Sequence, residues 1–163
     1  MTSFKSVISM ALFALAPMAA SAQSAETPCG SFSLSPVYVT VDTITASDEE
    51  VSFGDKRILH ISLVDSDGKE VAEYFAENTV VPGGSDDRHQ LLTSGRMVFP
   101  GGALSVSGTY HRPNITSSLP EAAPEFSFAL HAGTGDFVGY AGEVHLNRDS
   151  DGKRLYNFDF PCP

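Results

Sequence analysis

Positive charge is scarce in this chain of 163 residues: ten Lys and Arg stand against twenty Asp and Glu, for a formal net charge of −10. A field of that sign repels nucleic acid and anionic membrane surfaces, so neither is an expected partner. Long apolar runs are scarce as well. The longest, Val7 to Met18, falls short of the roughly 18 continuous residues a spanning helix needs, and no membrane span is expected. No nucleophile-elbow pattern surrounds any serine, which removes the usual hydrolase signature. The five histidines, His60, His89, His111, His131 and His145, lie on five separate predicted strands without an i, i+2 or i, i+4 pair, and no metal site is expected. The stretch GTGDFVGYAG carries glycines at 133, 135, 139 and 142. That spacing misses the dinucleotide fingerprint, and an alternating pattern follows it where a helix is required.

Cysteine is limited to Cys29 and Cys162. The chain opens with Lys5, the short apolar run and then Ala20-Ser21-Ala22, the small-x-small pattern a signal peptidase cuts. Residues 1–22 are therefore expected to be a cleaved signal peptide, and the mature protein secreted or periplasmic. In an oxidising compartment the two cysteines are expected to pair and tie one end of the mature chain to the other. Residues 23–163 suffice for one domain with one core. The clusters SDEE (Ser47 to Glu50) and SDD (Ser85 to Asp87) read as solvated loops. Asn114-Ile115-Thr116 matches a glycosylation acceptor.

What the chain has in quantity is extended-strand patterning. Period-two or continuous apolar segments recur at Val37 to Thr45, Arg57 to Asp65, Glu70 to Val81, His89 to Phe99, Ala103 to Arg112, Glu125 to His131, Phe137 to Arg148 and Lys153 to Phe160. The pentapeptide DSDGK occurs twice, at Asp65 to Lys69 and Asp149 to Lys153. Its Asp-Gly suits a hairpin turn, while the ligand spacing of a calcium loop is missing. FPGG, Phe99 to Gly102, marks a third hairpin. Successive hairpins with no helical period predict an all-β, up-and-down antiparallel meander, and closing it into an eight-stranded barrel removes both sheet edges. Such a barrel has an interior that side chains either fill or leave open for one small ligand. On this reading Gly133 and Gly135 make an entry turn, and Gly139 and Gly142 relieve crowding where a coiled strand bends.

SFALHAGTGDFVGYAGEVHLN, followed by LYNFDF, and GGALSVSGTY before them, resemble the C-terminal half of the allene oxide cyclase and dirigent superfamily. The likeness runs over roughly Phe99 to Phe160, with Ala132 where the family usually has a glycine. It implies a calycin-type barrel, commonly a homotrimer, with an apolar cavity and no cofactor. Members close or couple reactive lipid or phenolic substrates by holding them in one conformation. Plant-type cyclases use an acidic residue and an asparagine on the first strand; here VYVTVDTIT offers Asp42 and no asparagine.

Alternation along each strand supplies the site candidates. Ala72, Tyr74, Ala76, Asn78 and Val80 share one face; Asp42 falls with Tyr38 and Thr40; Arg96 with Gln90, Leu92, Ser94 and Val98; Tyr110 with Leu104 and Val106. If these faces turn inward, Asp42 and Arg96 polarise a carbonyl or epoxide oxygen and Tyr110 or Tyr74 donates a proton, while Tyr74, Asn78 and Val106 line the ligand. The expected function is an exported barrel that binds a small apolar molecule and steers its cyclisation or isomerisation. A lipocalin-like carrier and a filled barrel acting as an inhibitor or interaction module fit the same pattern.

Overall fold

The computed structural model describes residues 29–47, 52–82, 89–112 and 125–161. Residues 1–22, Cys162, Asn114 to Thr116, Ser85 to Asp87 and Asp48 to Glu50 lie outside that set. The described chain forms eight strands and no helix: β1 (Gly30–Ile44), β2 (Lys56–Val64), β3 (Glu70–Val81), β4 (His89–Phe99), β5 (Gly102–Arg112), β6 (Phe126–Gly135), β7 (Gly142–Arg148) and β8 (Arg154–Phe160). Each strand pairs antiparallel with its sequence neighbour, and β1 also pairs with β8, so the sheet closes on itself. The expected closed eight-stranded barrel is the observed one.

Closure depends on the length of β1. Its first five residues, Gly30 to Leu34, pair with β8, and Ser35 to Ile44 pair with β2. The first strand, expected from Val37, thus begins at Gly30. Phe32 and Leu34 alternate with serines there and turn toward the core, and Pro36 interrupts only one ladder donor. One strand joins both margins of the sheet because strands in a small barrel must tilt and stagger.

Two of the connections are near copies. In both DSDGK hairpins the first Asp amide donates to the Lys carbonyl, at 3.0 Å for Asp65 and 2.9 Å for Asp149. Its carboxylate accepts from the amides two and four residues on, at 2.9 and 3.0 Å from Asp65 and at 2.9 and 2.8 Å from Asp149. Gly68 and Gly152 both take φ +78°, the left-handed conformation this turn demands.

The interior is divided along the barrel axis. At the end holding Gly30, the β4–β5 hairpin and Phe160, aromatic rings fill the lumen. Phe32 stacks on Phe158 at 4.8 Å, Phe99 lies 5.0 Å from Phe137, and Phe137 meets Tyr140 edge-on at 5.5 Å. Phe137 comes from the glycine-rich segment. Phe137 to Tyr140 forms a turn, so β7 begins only at Gly142, later than its alternation suggested. The turn folds back across the barrel end and buries the Phe137 ring completely. A Cβ on Gly133 would overlap the Phe137 carbonyl, so that glycine is what lets the chain double back. The glycines therefore build a plug, and Gly139 belongs to its turn, not to a strand bend.

Candidate functional site

The opposite end of the barrel is chemically different. There β1, β3, β5 and β7 end and β2, β4, β6 and β8 begin, and the inner face turns polar. Across β1 to β5 a row of directly paired residues runs Thr43, Arg57, Asn78, Thr93 and Gly108. Thr43 sits exposed at the rim, whereas Arg57, Asn78 and Thr93 are buried. Buried polar groups need partners, and most of this row has them. Asn78 Nδ2 donates to the Tyr110 hydroxyl at 3.2 Å, and Thr93 Oγ1 donates to Asn78 Oδ1 at 2.7 Å. Tyr110 stacks on Phe126 at 4.3 Å, and the Arg154 guanidinium lies 5.6 Å from the centre of that same Phe126 ring.

Arg57 is the exception in hydrogen bonding. It is 6% exposed, yet its Nε and Nη1 have no hydrogen-bond partner. Burial pulls its pKa below the ordinary guanidinium value, and the adjacent Tyr110 and Tyr38 partly offset that effect. A guanidinium keeps its charge in any protein environment, so the barrel holds a permanent cation with two donors to spare. Two further phenols lie deeper. Tyr74 meets Tyr156 edge-on at 6.0 Å. Burial, with smaller contributions from neighbouring tyrosines, pushes both hydroxyls well above the usual phenol range, so they remain donors. Among the strand residues whose side chains are described, no carboxylate or imidazole shares the inward phase. The donors present can orient a ligand and stabilise negative charge on it.

Four of the six candidate site residues turn into the barrel: Tyr74, Asn78, Val106 and Tyr110 are 2%, 3%, 2% and 7% exposed. Asn78 and Tyr110 are hydrogen-bonded to each other. Asp42 and Arg96 do not join them. The β1–β2 register shifts between Tyr38 and Thr40, which makes Val39 a bulge. An extra residue reverses the alternation beyond it. Tyr38 faces in, but Val41 and Thr43 take the inward phase after it, and Asp42 is exposed on the outside. On β4 both phases carry apolar residues. The inward set is Leu91, Thr93, Met97 and Phe99, with Gly95 leaving room for the Tyr74 ring, so Arg96 points outward. It borders an open outer groove of about 540 Å³, with Thr40, Ile58, His60, Phe75 and Glu77 among its walls. The expectation that Asp42 and Arg96 face one inner pocket is corrected by these two phases.

Sequence reasoning missed Arg57 and Thr93. Arg57 did leave a signal, because it shares parity with Leu59, Ile61 and Leu63. A charge in an apolar phase is the mark of a buried functional group. Among the described residues no set of three or more His, Cys, Asp or Glu side chains is placed to hold a metal ion.

The chain thus folds as a closed, antiparallel eight-stranded barrel with buried polar residues at one end of its interior and aromatic rings at the other. No family model matches the sequence, and no curated protein matches it. Solved structures do. A pyocyanin demethylase superposes with TM-score 0.63 at 16% identity, covering 80% of this chain and 98% of that one. The Diels Alderase AbmU from Streptomyces koyangensis gives TM-score 0.62 at 15% identity, covering 85% of this chain and 72% of that one. A nonspecific heme-binding cyclase that catalyses a [4 + 2] cycloaddition in neoabyssomicin biosynthesis gives 0.58 at 18% identity, over 80% of this chain and 62% of that one. At these identities the likeness establishes a shared fold.

Proposed function

We propose that this protein is an exported barrel of the allene oxide cyclase and dirigent type. It binds a small, mostly apolar organic molecule at the polar end of its interior and steers that molecule's cyclisation or isomerisation with its own side chains. One observation carries the reading: an otherwise apolar barrel places Arg57, Asn78, Thr93 and Tyr110 together on its inner face, at the end opposite the aromatic plug. Pockets that fix a ligand combine apolar walls with a few convergent polar groups in this way. The cycloadditions for which two of the structural neighbours are named agree with chemistry in which holding a conformation supplies the rate. The same apolar walls and hydrogen-bonded polar groups also suit a non-catalytic carrier, which is the second reading.

Export and a Cys29–Cys162 disulfide are part of the proposal. Gly30, beside Cys29, pairs with Phe160, two residues short of Cys162, so the seam brings the flanking sequence together. A homotrimer is proposed as well, with exposed Val37, Val39 and Phe75 on the outer face as the contact surface.

A blocked mouth tests the binding site. Thr43→Trp places a large ring at the rim of the inner row, where the exposed position tolerates it. The neutral fluorescent probe 1-N-phenylnaphthylamine is expected to bind the wild type and to lose at least tenfold in affinity in this variant. Thr40→Trp, on the outer groove, is expected to leave binding unchanged. Loss confined to the Thr40 variant would place the site on the outside and overturn the proposal.

A further inference from the structure

Arg57 has a consequence beyond general ligand binding. We infer that Arg57 sets the specificity of the interior site by selecting ligands that present an oxyanion, a carboxylate or a phenolate or enolate oxygen, on an apolar body. The inference rests on the reading of the interior as a ligand site.

The side chain is buried, and its Nε and Nη1 donate to nothing among the described residues. Its strand neighbours offer no counter-charge. On β3 it pairs with Asn78, whose amide is committed to Tyr110 and whose carbonyl accepts from Thr93; on β1 it pairs with Thr43. The described acidic residues closest to it are spent elsewhere: Asp55, buried two residues before Arg57, accepts from the Ala46 and Ser52 amides at 2.6 and 2.8 Å. Glu77 faces outward and holds Lys56 at 2.8 Å, and Glu73 faces outward and holds His60 at 3.2 Å. A buried cation without an ion-pair partner destabilises a fold, and an apolar side chain of similar length at that place is commonly tolerated or stabilising. Stability forgone at one inward residue is the pattern of a functional site. An incoming oxyanion supplies what the barrel withholds: charge-assisted hydrogen bonds in a low-dielectric enclosure. Tyr110 and Tyr38, which act electrostatically on Arg57, lie beside that position. The same donors stabilise negative charge that develops on a bound carbonyl as it enolises, which ties specificity to the proposed isomerisation.

The test compares 2-naphthoate with its neutral isostere 2-naphthamide by titration calorimetry against wild type, Arg57→Met and Arg57→Lys. Wild type is expected to bind the carboxylate at least tenfold more tightly than the amide. Arg57→Met is expected to bring the carboxylate down to the amide's affinity and to melt at or above the wild-type temperature, which shows that its fold is intact. Arg57→Lys is expected to restore part of the preference. Equal binding of carboxylate and amide by wild type, or a preference that survives in Arg57→Met, overturns the inference while the interior site stands. Failure of wild type to bind either naphthalene or the neutral probe overturns the interior site itself.

Discussion

Gly133→Ala is expected to lower the unfolding free energy by at least about 3 kcal/mol, the size seen when a buried aromatic loses its packing. An alanine in place of glycine at an unstrained site is neutral or mildly stabilising, by about 0.4–1 kcal/mol. Here the added methyl would occupy the position of the Phe137 carbonyl, so the turn must swing out and take the Phe137 ring with it. That ring is fully buried against Phe99, Tyr140 and Phe160. Urea unfolding of Gly133→Ala beside Phe137→Ala checks the account, since both variants release one plug and should lose similar stability. A Gly133→Ala midpoint within experimental error of wild type would show that the segment is not clamped as described.

Loss of the proposed Cys29–Cys162 disulfide is expected to cost about 4 to 5 kcal/mol, the chain-entropy estimate for a loop of more than a hundred residues. The barrel itself supports the pairing, because β1 and β8 already hold Gly30 against Phe160. Unfolding of oxidised and reduced protein, and of Cys29→Ser with Cys162→Ser, should show a large drop in midpoint with an unchanged far-ultraviolet spectrum before denaturation. Equal midpoints in all three would mean that strand pairing alone closes the barrel.

Strand identity was written plainly in the sequence, and strand phase was not. The limits of β3 and β4 agree with their hydrophobic alternation, and both DSDGK hairpins fall where Asp-Gly placed them. The failures have local causes. Val39 shifts the register of β1 against β2, and nothing in VYVTVDTIT reveals which residue is the extra one, so Asp42 was assigned to the wrong face. On β4, Leu91, Met97 and Phe99 compete with Leu92 and Val98, while Thr93 and Gly95 dilute the inner phase; Arg96 followed the wrong set. Alternation also ran through Phe137 to Ala141, because it cannot separate a strand from a turn whose single aromatic points inward. Where the inner phase was uniformly apolar or small, as on β3 and β5, Tyr74, Asn78, Val106 and Tyr110 were placed correctly. Arg57 was legible by the same logic, as the one charged residue in the phase of Leu59, Ile61 and Leu63.

The central claim is that a ligand sits inside the polar end of the barrel and touches Arg57, not in the outer groove beside Arg96. Side-chain nitrogen NMR on uniformly labelled protein reads this directly. Titration with 2-naphthoate is expected to shift the Arg57 Nε–H and Asn78 Nδ2 signals together and leave the Arg96 Nε–H in place. Shifts confined to Arg96, with Arg57 and Asn78 unmoved at saturation, would contradict the account.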